Sequence, residues 1–165
     1  MESNLLLRRL RYALGLRNRD VQDLMALGGY KIDDEKVRAL LQREEDPDFA
    51  VATIEQLNGF LDGLIIHKRG KKEVPPGQKP AAPIVVTNNN MVLRKLRIAF
   101  DLKEQGMLDV LELDGFRLSK AELSALFRKE GHKHFRRCGD QVLRYFVGGL
   151  TKRLRPSESS APTAQ

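Results

Sequence analysis

The feature that most constrains this chain is that it is written twice. Sliding the sequence against itself by 86 residues aligns positions 4 to 69 with 90 to 155 without a gap, and 19 of the 66 pairs are identical. Among them are Asn4/Asn90, Leu7/Leu93, Arg8/Arg94, Arg11/Arg97, Ala13/Ala99, Phe60/Phe146 and Gly63/Gly149. Other pairs exchange one apolar residue for another, as in Tyr12/Ile98, Leu14/Phe100 and Val37/Leu123, so one core pattern is laid down twice. A gap-free repeat with matched apolar positions demands two copies of one topology.

The boundaries follow from the repeat. Repeat 1 occupies 1–70 and repeat 2 occupies 89–155, and 71–88 between them is a linker with four prolines, which forbid a helix and suit an extended tether. Ile84, Val85 and Val86 are too apolar for a plain linker and are expected to dock on a repeat, while 156–165, PSESSAPTAQ, reads as disordered.

Within each repeat the apolar spacing is helical and no strand signal competes. Leu6, Leu7, Leu10, Ala13 and Leu14 form one stripe of a first helix, with Arg8 opposite and Arg9 and Arg11 on its flanks. Asn4 and Asn90, or the polar residue before each, are the expected N-caps. A second helix is expected near 20–27, stopped by Gly28-Gly29 in repeat 1 and Asp114-Gly115 in repeat 2. A third starts at Asp33 or Ser119, the latter opening a capping box with Glu122. A fourth runs over about 53–68 and 140–154. The fold class is therefore all-α: two tandem repeats of a compact four-helix domain with helix-turn-helix-like segments. A domain of about 60 residues buries only about 60% of its unfolded surface, so the repeats are expected to pack on each other or on another subunit.

Several function classes drop out at this point. No apolar run approaches the ~20 residues that span a bilayer. The arginines inside the N-terminal apolar stretch do not suit a signal peptide, so a cytoplasmic location is expected. The single cysteine, Cys138, has no internal disulfide partner. The net charge of +7 is unevenly placed: 1–70 holds 11 basic and 12 acidic residues, whereas 89–155 holds 15 and 8. Repeat 2 alone is a basic module.

The doubled pattern N-x-x-L-R-x-L-R-x-A-x-x-L and the segment F-x-x-C-G-D-Q-x-L-R-Y-F-x-x-G-L at 135–150 resemble the YehS-like bacterial family, a duplicated domain of unknown function. The resemblance spans residues 1 to 155 and implies a duplicated, soluble protein of bacterial origin. Repeat 1 departs from it at Ala52, where repeat 2 has Cys138. The family brings no established activity, so chemistry must be argued from the residues.

The first helix carries LRRLR at 7–11 and LRKLR at 93–97. Arg8, Arg9, Arg11, Arg94, Lys95 and Arg97 can be read as two phosphate-binding patches. They can equally be read as structural, their stems covering the core and their charges paired with recurrent acids such as Asp23/Asp109 and Glu44/Glu130; the recurrence of both signs favours this second reading. The helix-turn-helix outline would place the third helix in a major groove, but Asp33, Asp34 and Glu35 oppose that use in repeat 1, and the turn of about five residues exceeds the usual three or four. The loops after the third helix have diverged in charge: EEDPDF at 44–49 against EGHKHF at 130–135, followed by Arg136 and Arg137. Lys133, Arg136 and Arg137 thus join the candidate binding surface, and the two loops are expected to face each other, within one chain or between subunits.

His132, His134, Cys138 and Asp140 resemble a zinc set, but H-x-H-x3-C lacks a fourth soft ligand and has no counterpart in repeat 1, so no metal is expected. Cys138, beside two arginines and just before a helix, is a candidate reactive thiol, with a small buried residue as the simpler reading. No phosphate-binding glycine loop, activated nucleophile or repeated acidic dyad is present, so no catalytic residue, cofactor or small-molecule substrate is expected and the chain is read as a non-enzyme. The leading expectation is a non-catalytic tandem helical interaction module that binds a protein partner or another copy of itself. The alternative is a DNA- or RNA-binding protein using the basic face of repeat 2.

Overall fold

The doubled pattern yields eight helices among residues 1–156, which are the residues the computed structural model describes. Repeat 1 contributes α1 (Ser3–Leu14), α2 (Asn18–Leu27), α3 (Asp34–Leu41) and α4 (Ile54–Arg69). Repeat 2 contributes α5 (Asn89–Ala99), α6 (Glu104–Leu113), α7 (Lys120–Leu126) and α8 (Asp140–Leu154). The third helices begin as their caps dictate. Asp33 accepts from the Lys36 amide at 2.8 Å, and Ser119 and Glu122 form the reciprocal capping box. The tail expected to be disordered lies, from residue 157 on, outside the described residues.

The expected caps of the first helices are corrected. Asn88 caps α5, and Glu2 stands at the corresponding position of α1 without a side-chain cap bond. Asn4 and Asn90 are buried inside the helices and reach across the repeat instead. Asn4 Nδ2 donates to the carbonyls of Leu40 (2.9 Å) and Ala50 (2.8 Å), and its Oδ1 accepts from the Ala52 amide (2.9 Å). Asn90 does the same with Leu126 (2.8 Å), Arg136 (2.9 Å) and Cys138 (2.9 Å). The side chains thereby satisfy backbone groups that neither helix nor strand pairs.

The second and fourth helices of each repeat pack with almost no side chain between them. A Cβ on Gly63 would lie 1.7 Å from the Leu24 carbonyl oxygen, and one on Gly149 would lie 1.8 Å from that of Val110. The glycine is identical in both repeats because the backbones touch there. Neighbouring positions compensate differently. In repeat 1, Tyr30 leans over Gly59; in repeat 2, Tyr145 replaces that glycine and stacks on Phe116 with ring centroids 4.8 Å apart.

The repeats do not stand apart. α1 packs on α8 and α4 packs on α5, and the buried side chains of both repeats form one continuous core. Both contacts are parallel. The Met1 amine pairs with Asp140 at the start of α1 and α8, and Arg155 donates to the Tyr12 carbonyl (2.7 Å) at their ends. Likewise the Val86 amide meets Asn58 (3.4 Å) near the start of α4, and Arg69 pairs with Asp101 (3.0 Å) beyond the end of α5. Because α1 corresponds to α5 and α4 to α8, the two contacts are equivalents under a pseudo-twofold axis. Of the linker's apolar run only Val86 is buried, while Ile84 and Val85 stay exposed.

Gly63→Ala should lower unfolding stability by about 1–3 kcal/mol, since the helices must separate to admit a methyl group. Gly139→Ser, at an open N-cap with φ −72°, should instead raise it by a few tenths. Urea unfolding of both variants checks the pair, and equal effects would contradict the close-packing argument.

Candidate functional site

The repeated arginines of the first helices do the same work in both repeats. Arg8 donates to the Gln42 carbonyl (2.9 Å) and Arg94 to the Phe127 carbonyl (2.8 Å), each closing the exposed end of a third helix. Arg11 and Arg97 donate to the carbonyls of Leu16 (3.3 Å) and Leu102 (3.0 Å) in the turns that follow their own helices. Neither of the sequence readings anticipated these partners. Among the described residues no ion pair joins these arginines to Asp23, Asp109, Glu44 or Glu130. The charges that recur are held by backbone oxygens at helix ends, where a cation is favoured.

Lys95 requires the plainest correction, because it belongs to no exposed patch. It is 3% exposed, and its ammonium pairs with Asp62 and donates to Asn58 Oδ1 (2.8 Å), both on α4 of the other repeat. The pseudo-twofold packing carries this face of α5 onto α4. Its counterpart Arg9 is half-buried at the α1–α8 contact, where Arg144 and Gly148 replace Asn58 and Asp62. The sequence held the signal, since aligned positions 62 and 148 differ as acid and glycine, but only the packing of α4 on α5 gives that difference a partner.

The loop cations are exposed, and two have partners in their own repeat. Arg136 pairs with Glu122 (3.4 Å) and Arg137 with Glu130 (3.9 Å), while Lys133 has no ion pair among the described residues. Hydrogen bonds from Ser119, backed by Arg136, hold the Glu122 carboxyl below its ordinary range. Among the described residues no ion pair links these cations to the acidic loop at Glu44–Asp48.

Cys138 lies 2% exposed, its amide bound to Asn90. Burial, and then the neighbouring Asp140 carboxylate, push its thiol up to about 11. The expected lowering by Arg136 and Arg137 does not operate, because both turn toward glutamates. Asp140 is itself held low by bonds from the Met1 amine and Asn89. The His132 and His134 rings lie 5.6 Å apart, and His132 Nδ1 accepts from the His134 amide (3.0 Å). The described residues contain no cluster of three or more metal-ligating side chains, and no helix among them is long and apolar enough to cross a membrane.

The paired asparagines, glycines and carbonyl-binding arginines are features of a doubled sequence pattern, and the family model for a protein of unknown function (DUF1456) matches that pattern twice, at residues 3–70 and 89–155. The chain belongs to this family. It is 44% identical over 153 residues to Uncharacterized protein YehS of Escherichia coli (strain K12), covering 93% of this chain and 96% of that one. No solved structure matches the chain. Membership of the DUF1456 family secures the doubled helical fold and assigns no chemistry to it.

Two measurements check the local assignments. Asp62→Asn should destabilise by about 2–3 kcal/mol, below the full penalty for an orphaned buried charge because Asp62 is partly exposed. Lys95→Met should change stability less, and the double variant should cost less than the sum of the two. Cys138 should form about a hundredfold less thiolate at pH 8 than an unburied cysteine with the ordinary value of 9.0, so alkylation of the native protein should be slow until urea unfolds it.

Proposed function

We propose that the chain is a non-catalytic tandem helical module that recognises a protein partner through the edge of repeat 1 where α4 begins. The supporting observation is an apolar patch that the fold does not use. Val51 is 76% exposed and Ile54 is 49% exposed, and the aligned residues of repeat 2 are the charged Arg137 and Asp140. Ile54 lies one turn before Asn58, which accepts from the Val86 amide of the linker, and Ile84 and Val85 just before Val86 are exposed as well. The acidic residues of the loop at Glu44–Asp48 stand just before this patch in the chain and would supply its charged rim. Exposed apolar residues grouped beside a polar rim are the usual anatomy of a protein-binding patch.

A nucleic-acid reading is second. Lys120, Arg128, Lys129 and Lys133 are exposed and without ion pairs among the described residues, and all belong to repeat 2. Against it, most of the cations first grouped as phosphate contacts are tied to carbonyls, buried, or paired with glutamates.

The two readings part in one comparison. Val51→Arg with Ile54→Asp, which writes the repeat 2 residues into repeat 1, should leave helicity unchanged and abolish nuclease-resistant co-purification of a stoichiometric protein. Replacing Lys120, Arg128, Lys129 and Lys133 with alanine should leave that complex intact. The opposite outcome, with binding of DNA or RNA at ~50 mM salt whose salt slope falls by about one unit per lost contact, would replace the first reading with the second.

A further inference from the structure

We propose that the cleft between α1 and α8 binds a small organic anion, a phosphate or carboxylate group carried on an apolar skeleton. The pseudo-twofold axis relates two inter-repeat contacts whose charges differ. Across α4 and α5, the Lys95 ammonium is neutralised by Asp62 and Asn58. At the equivalent place across α1 and α8, Arg9 keeps the cation, while Gly148 and Arg144 stand where the acid and the amide should be. One half of an ion pair is present without the other.

The nearest acid does not make up the deficit. Asp114, aligned with Gly28, folds over Gly148 so closely that a Cβ there would lie 2.2 Å from its carboxylate oxygen. It is engaged by Lys152 at 2.9 Å. Arg9 has no hydrogen bond or ion pair among the described residues. Beside Gly148 and the Asp114 carboxylate that covers it, a cleft of about 480 Å³ lies between the helices, within the range of small-molecule sites. Arg8 and Arg9 line one wall, and Lys152, its partner Asp114 and Arg155, which lies over the Tyr12 ring, line the other, with Leu5 and Val147 supplying apolar surface.

The composition of the cleft selects the ligand. A cation left half-buried without a counter-ion favours an oxyanion, and a guanidinium grips two oxygens of a phosphate or carboxylate at once. The apolar walls favour a ligand that brings carbon as well as charge. Bound there, the anionic group would occupy the role that the Asp62 carboxylate plays across the axis. This site is on the opposite inter-repeat contact from the linker-docked edge of repeat 1, and it stands whether or not that edge binds a protein.

Phenyl phosphate is a suitable probe, titrated into the full chain at ~50 mM salt, where screening is weak. Calorimetry should show saturable one-to-one binding, with phenol at least about tenfold weaker because it lacks the charge. Arg9→Gln should weaken phenyl phosphate by about tenfold or more. The double change Asp114→Gly with Gly148→Asp writes the Gly28/Asp62 arrangement into repeat 2. It gives Arg9 an internal counter-ion and should abolish binding while the circular dichroism spectrum stays native. Should that variant fail to fold, Arg9→Gln decides alone. The proposal is overturned if phenyl phosphate does not saturate the chain, if phenol binds equally well, or if Arg9→Gln binds like the parent.

Discussion

The buried asparagine near the start of each repeat is the interaction on which the rest of the structure depends. Each repeat must pass from its third helix to its fourth through an extended segment, 50–52 or 136–138, that ends on a buried residue, Ala52 or Cys138. Asn4 and Asn90 each donate to one carbonyl of this passage and one near the end of the third helix, and accept from one amide of the passage, so a single side chain ties the two together. Leaving such groups unpaired would cost about 1–3 kcal/mol each, a large part of what a small domain can spare. With the passage pinned to the first helix, the fourth helix starts at a set place and reaches the second at the shared glycine. Cys138 and Ala52 occupy the same structural role, a small residue whose amide the asparagine holds, which is why a cysteine in one repeat can be an alanine in the other.

Duplication then creates a second level of organisation. Each four-helix repeat leaves faces of its first and fourth helices uncovered, and the pseudo-twofold arrangement covers them with the fourth and first helices of the other repeat. The result is one core instead of two marginal ones. Because both contacts descend from the same sequence, every difference between them stands out against a built-in control. Lys95 with Asp62 is one outcome and Arg9 with Gly148 is the other. In repeat 2 the nearby acid is Asp114, which pairs with Lys152, so the two contacts differ at several positions.

Charge in this molecule is correspondingly less available than its composition suggests. Repeat 2 carries seven more basic than acidic residues, 15 against 8. Yet Arg94 and Arg97 hold carbonyls, Lys95 is buried, and Arg136 and Arg137 face glutamates. An excess of positive charge sets the long-range field of a protein. It does not say which side chains remain free to meet a ligand.

Secondary structure and its repetition are legible along the chain. Helical periodicity, the Asp33 and Ser119 caps and the gap-free offset are local or self-comparing signals, and they carry four helices per repeat with the last at Asp140–Leu154. The same signals misread Asn4 and Asn90 as caps, because an asparagine at a helix start looks alike whether it bonds its own backbone or a strand of chain some 46 residues away. Only the tertiary structure decided which face of each first helix meets the other repeat. That choice buried Lys95, freed Arg9 from any counter-ion and opened the cleft beside it. The physical reason is that an ion pair, like a pocket, is a property of two surfaces brought together, and a chain read along its length shows each surface without its opposite.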